Sequence, residues 1–161
     1  MNDTLRTLYA FNLGYCQRLV EDITEEELLT VPTEGVNPPG WLLGHLAICT
    51  DYALANLGAE KQCPEAWHKM FGPKSKPAAP GSDHPSKAEL MEALETGHKL
   101  VTEASMNVST EQLSGPNPIE FLRGPLPTVG DLLAHLMATH EASHIGHLSN
   151  WRRQMGRPPL F

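Results

Sequence analysis

Apolar residues recur every three or four positions through most of this chain, the spacing of amphipathic helices rather than of strands. Leu5, Leu8, Tyr9, Asn12, Cys16, Leu19, Val20 and Ile23 form the first stripe and predict a helix over about residues 3 to 22. Thr24 with Glu27 has the form of a capping box and predicts a short turn through Leu29. Pro32, Pro38 and Pro39 break the pattern; Trp41, Leu42, His45, Leu46, Cys49, Tyr52, Ala53 and Leu57 resume it as a second helix, which stops at Gly58. Pro64 to Phe71 reads as a short helix, and Gly72 to Pro85, rich in Pro, Ser, Lys and Gly, reads as a long exposed loop. Ser86 with Glu89 opens a third main helix reaching about Met106. After a turn-rich stretch from Ser114 to Pro127, Thr128 with Asp131 opens the last helix, which runs to about Met155 and is closed by Gly156 and Pro158.

No strand-like alternation stands out, so the expected architecture is all-α. It is an up-and-down bundle of four main helices with a long loop between the second and third. Gly40-Trp41-Leu42-Leu43-Gly44-His45-Leu46 and Gly130-Asp131-Leu132-Leu133-Ala134-His135-Leu136 agree at five of seven positions, each just after a Pro-containing loop, which suggests a duplicated helical hairpin. The length, 161 residues, suits one domain spanning residues 1–161.

A net charge of -7, spread along the chain, disfavours nucleic acid or an anionic membrane surface as the partner. Cys16, Cys49 and Cys63 are odd in number and lack zinc-finger or CxxC spacing, so a reducing, cytoplasmic location is expected. The first residues carry no signal-peptide pattern, and no apolar run approaches the roughly 18 residues of a membrane span.

The chemistry concentrates in the histidines, of which there are eight. His140 and His144 are four apart in the last helix, so both imidazoles project from one side and can share a metal ion. Two ligands are too few for a zinc-type site, and a third must come from elsewhere. His135 lies on the same helix, but at about 100° per residue it points roughly 140° from His140 and roughly 180° from His144, which assigns it a hydrogen-bonding role. His68, His84 and His98 have no partner spacing around them and are expected at the surface. His45 sits on the apolar face of the second helix, and facing helices are where bundles assemble metal sites, so it is the candidate third ligand.

Glu141 turns the segment into H-E-x-x-H, the spacing of zinc peptidases in which the glutamate is the general base. The extended form requires glycine at 147 and histidine at 150, where this chain has His147 and Asn150. No Asp or Glu follows His144, and no sheet edge is expected to hold a peptide. Glu141 is therefore read as a carboxylate beside the ligands or at the surface. His147, Leu148 and Trp151 continue the direction of His144 within about 60° and are expected to line a pocket at the open side of the ion.

With His45, His140 and His144 joined, the chain resembles the DinB/YfiT-like metalloenzyme family over nearly its whole length. The residues that carry the resemblance are Trp41 to Leu46, the His140-Glu141-x-x-His144-x-Gly146 segment, and the tail from Trp151 to Pro159. Family members usually have glutamine where this chain has His147. The resemblance implies a four-helix fold, a divalent metal, most often zinc or nickel, held by one histidine of the second main helix and two of the last, and a homodimer. It also implies a small-molecule substrate and suggests a low-molecular-weight thiol as cosubstrate, since characterised relatives include mycothiol-dependent maleylpyruvate isomerase and bacillithiol transferases. Three neutral imidazoles leave a coordination position open, so thiol transfer and hydrolysis are both expected chemistries, and a metal-binding bundle without turnover is the rival of another class.

Overall fold

The computed structural model describes residues 1–160. Helix α1 (Asp3–Val20) starts at Asn2, whose side-chain oxygen accepts the Leu5 N–H, and buries Tyr9, Cys16, Leu19 and Val20. It stops two residues early because Ile23 turns back to bond the Val20 carbonyl at 3.1 Å and drops its own side chain into the core. Helix α2 (Pro39–Asn56) begins with proline, whose missing N–H belongs at a first turn. Every residue from Pro39 to Asp51 is buried, so α2 is the central helix of the molecule rather than an amphipathic one.

Helix α3 (Glu65–Met70) is the short helix expected there, and α4 (Lys87–Asn107) opens with the Ser86–Glu89 capping box in full. A short α5 (Thr110–Ser114) and a 3₁₀ turn (Glu120–Leu122) occupy the connection that follows. The last helix is one rod in three pieces. It opens as α6 (Val129–Ala134) from the Thr128–Asp131 capping box, loosens into a π-turn (His135–His140), and continues as α7 (Glu141–Gln154). Among the described residues there is no strand, only an isolated bridge between Pro116 and Thr128. None of the described helices is long and apolar enough to cross a membrane.

The four long helices form a bundle in which α2 packs chiefly on α4, and α1 on the last helix. The α2–α4 approach is close because Gly97 meets Thr50; a Cβ at Gly97 would lie 2.0 Å from Thr50 Oγ1. Two ties set the surroundings of the site. The fully buried Asp51 carboxylate accepts the Gln62 and Cys63 N–H groups at 2.7 and 3.1 Å and His68 Nε2–H at 2.9 Å, pinning residues 62–71 along α2. At the other end, Trp151 Nε1 donates to the Thr30 carbonyl, and buried Arg152 pairs with Asp22 while Arg157 pairs with Glu27. These ties hold α7 against the turn that follows α1.

Candidate metal centre

Helix α2 carries His45 into the bundle with its ring stacked on Trp41, centroids 4.8 Å apart and planes 7° apart. A carbonyl can only accept, so the 2.7 Å contact to the Phe71 oxygen places the proton on His45 Nδ1 and leaves Nε2 as a bare lone pair. Facing it are His140, at the end of the π-turn, and His144, one turn into α7. His140 Nε2 lies 3.4 Å from His45 Nε2 and 3.3 Å from His144 Nε2, and the His45 and His144 rings are 4.6 Å apart. The three residues proposed from sequence are thus brought together.

Three converging ring nitrogens cannot satisfy one another: a proton on His140 Nε2 serves one neighbour and repels any proton offered by the other. His140 Nδ1 and His144 Nδ1 are also buried without a partner. Burial, reinforced by the neighbouring imidazoles, holds His140 down to about 4 and His144 down to about 3. Burial also lowers His45, against the opposing pull of the Phe71 carbonyl. All three are then neutral near pH 7, the form that binds metal. A cation among the Nε2 atoms resolves the clash, so the residues present fit a divalent ion.

Cys49 is the site residue that sequence reasoning missed. One turn after His45, its Sγ is 3.7 Å from His45 Nε2, and the ligand atoms of His45, Cys49 and His140 all lie within 4.8 Å of one another. Two overlapping sets therefore share His45 and His140, one completed by Cys49 and the other by His144. The all-histidine set is the better ligand set in the resting chain, because burial pushes the Cys49 thiol well above its ordinary range whereas the imidazoles are already neutral. The signal was present as the four-residue spacing of His45 and Cys49.

Glu141 is buried, and both of its carboxylate oxygens are engaged by residues other than the three histidines. Its Oε1 accepts His98 Nε2–H at 2.5 Å and its Oε2 accepts from Asn12 Nδ2 at 3.1 Å, so it is not poised as a base beside the ligands. Burial raises its carboxyl while the bonds from His98 and Asn12 oppose the rise. His98 is not at the surface: it is buried under Tyr9, ring centroids 3.6 Å apart, because it continues the inward stripe of Leu90, Leu94 and Val101. His68 is likewise held against Asp51, and His84 is half-buried beside Phe71.

His135 makes the expected hydrogen bond, Nδ1 to Thr139 Oγ1 at 2.7 Å, yet its ring lies only 5.4 Å from that of His140. The α-helical angle does not apply across a π-turn, where residues five apart come into line. His147 is exposed, edge-on to His144 at 5.7 Å, and lines a cavity of about 270 Å³ with Gly35, Val36, Asn37 and Asn150. Leu148 and Trp151 do not share that lining. Both fall on the stripe Met137, Glu141, Ile145, Leu148 and Trp151 that packs into the core.

A family model described as the DinB superfamily matches residues 11–148. Among solved structures the chain is similar to a conserved protein from Enterococcus faecalis, with a TM-score of 0.73 and 19% identity over 98% of this chain and 99% of that one. It is also similar to YfiT from Bacillus subtilis, with a TM-score of 0.67 and 19% identity over 97% of this chain and 88% of that one. No curated protein matches. At such identities the two structures show a shared fold, a four-helix bundle.

Proposed function

The chain belongs to the DinB superfamily, and on that premise we propose that it is a metal-dependent enzyme acting on a small molecule, with His45, His140 and His144 holding one divalent ion, zinc or nickel. The observation that carries the proposal is the convergence of the three Nε2 atoms at 3.3 and 3.4 Å, with His45 oriented from behind by the Phe71 carbonyl. A bound ion of this kind supplies Lewis acidity, which lowers the pKa of a water or thiol brought to it. The chain's own residues do the rest. Phe71 and Trp41 hold the His45 ring in one tautomer and plane, burial keeps His140 and His144 unprotonated, and His147, edge-on to His144, lines a cavity beside the site.

Thiol-dependent transfer is the first reading of the reaction, because the family that the chain resembles includes thiol-dependent enzymes. Hydrolysis is the second, favoured by the likeness to YfiT, which is described as a probable metal-dependent hydrolase. The test begins with metal analysis of protein purified without a histidine tag. His45→Ala, His140→Ala and His144→Ala should each sharply reduce metal content while His135→Ala does not; full retention by all three would overturn the ligand assignment. Cobalt-loaded Cys49→Ser protein is then titrated with glutathione, cysteine or bacillithiol. A new sulfur-to-cobalt band supports thiol chemistry, and a response to azide with none to any thiol supports hydrolysis.

A further inference from the structure

The π-turn does not stand alone. Its Met137 and Ala138 carbonyls each lie 3.4 Å from Asn12 Nδ2 of α1, and the same amide donates to Glu141 Oε2 at 3.1 Å. The other oxygen of Glu141 is held from α4 by His98 at 2.5 Å, and His98 is clamped by the Tyr9 ring, one turn before Asn12 on α1. Two helices of the bundle thus hold the irregular turn of the last helix, α1 at two carbonyls within it and both at the residue that follows it. His140 is the last residue of that turn, and Glu141 is bonded directly after it.

An extra residue in a helical turn rotates everything after it relative to everything before it, by about 100° for one residue. With the turn wound as it is, Leu133 before it, Met137 within it, and Ile145 and Leu148 after it are all buried. The same winding aims His140 Nε2 at both His45 and His144. Both Glu141 oxygens are engaged, one by Asn12 and the other by His98.

We propose that Asn12 and His98 are positioning residues for the metal centre, acting through Glu141 and the π-turn carbonyls to fix the rotation that brings His140 to His45 and His144. This rests on the metal-binding reading above, but the winding of the turn can be measured without metal. Groups bonded directly to ligating histidines change metal affinity by about 10- to 100-fold; Asn12 and His98 act one residue further out, so the lower end, about 10-fold, is expected here. The variants are Asn12→Leu, which keeps the volume and removes the donor, His98→Phe, which keeps the stack on Tyr9 and removes the donor, and His98→Gln, which restores a donor.

The experiment measures cobalt affinity by chelator competition, the visible spectrum of the cobalt-loaded protein, and amide hydrogen exchange of residues 135–141 in metal-stripped protein. Asn12→Leu and His98→Phe should weaken cobalt binding by about 10-fold, alter the d–d bands and speed exchange in that segment, with His98→Gln recovering most of each effect. A merely structural role would lower global stability and leave the affinity and spectrum of the folded protein unchanged, and that result overturns the proposal. If Asn12→Leu does not fold, His98→Phe, which leaves α1 and the turn's own residues intact, carries the same test. A parent protein that binds no cobalt would sink the metal reading and the positioning role with it, whereas tight parent binding with unchanged exchange in both variants sinks the positioning role alone.

Discussion

Gly44→Ala is the smallest change that should reach the ligands from outside them. A Cβ at Gly44 would lie 2.4, 2.5 and 2.6 Å from three atoms of the Phe71 ring, whereas ordinary contact begins near 3.4 Å, so the ring must retreat by about 1 Å. Phe71 is fully buried between Trp67 and His84, with ring centroids at 5.7 and 5.6 Å, and has little room behind it. Overpacking of this kind costs about 1–3 kcal/mol, and alanine's better helix propensity returns about 1 kcal/mol. With the ring hemmed in, the upper end applies, and the net loss should be about 2 kcal/mol, a fall of about 4–8 °C in Tm. The Phe71 carbonyl moves with its ring, and its 2.7 Å bond to His45 Nδ1 weakens, so zinc affinity should fall about 10-fold or more. Urea denaturation and zinc titration read the two effects. Phe71→Leu should relieve the clash, making Gly44→Ala less costly in that background. A Gly44→Ala protein as stable as the parent, binding zinc equally well, would refute the reasoning. At the matching position of the parallel segment stands Ala134, so a Cβ is accommodated there.

Asp51→Ala removes the acceptor of two backbone N–H groups and of His68, all partly buried, and should cost about 3–5 kcal/mol in urea unfolding and expose residues 59–71 to proteolysis; a loss under about 1 kcal/mol would count against the tie. Stability should also depend on pH in a defined direction. His140 and His144 are held at about 4 and about 3 in the folded chain, by burial first, against about 6.5 when unfolded, so the unfolded chain binds more protons between these values. Their contribution is present above about pH 6.5 and is lost as pH falls through about 4. Metal-stripped protein should therefore show a falling urea midpoint from pH 7 to pH 5, and His140→Gln/His144→Gln protein a shallower fall; equal slopes would remove these rings from the account.

What the sequence made legible was local. Capping boxes at Ser86–Glu89 and Thr128–Asp131 placed helix starts closely, because both partners lie three residues apart and their geometry needs nothing else. The four-residue step of His140 and His144 was legible for the same reason. The position of Cys49 after His45 was equally legible, but a thiol among apolar neighbours reads as a small hydrophobe until a second helix brings His140 beside it. His98 fell on a readable inward stripe, yet its partner Glu141 is 43 residues away, and nothing in its own neighbourhood announces a carboxylate.

The π-turn was beyond reach, since His135 to His140 contains neither glycine nor proline and its winding is held by Asn12, more than a hundred residues earlier. That turn also decides what the letters H-E-x-x-H mean in this chain. In one helix the two histidines and the glutamate point to different sides, and chemistry follows from what each side meets. Here α2 meets His140 and His144 with a third imidazole, while α1 and α4 meet Glu141 with an amide and a ring N–H. The same spacing that would give a peptidase its base gives this bundle an anchor for the helix that carries two of its three converging imidazoles.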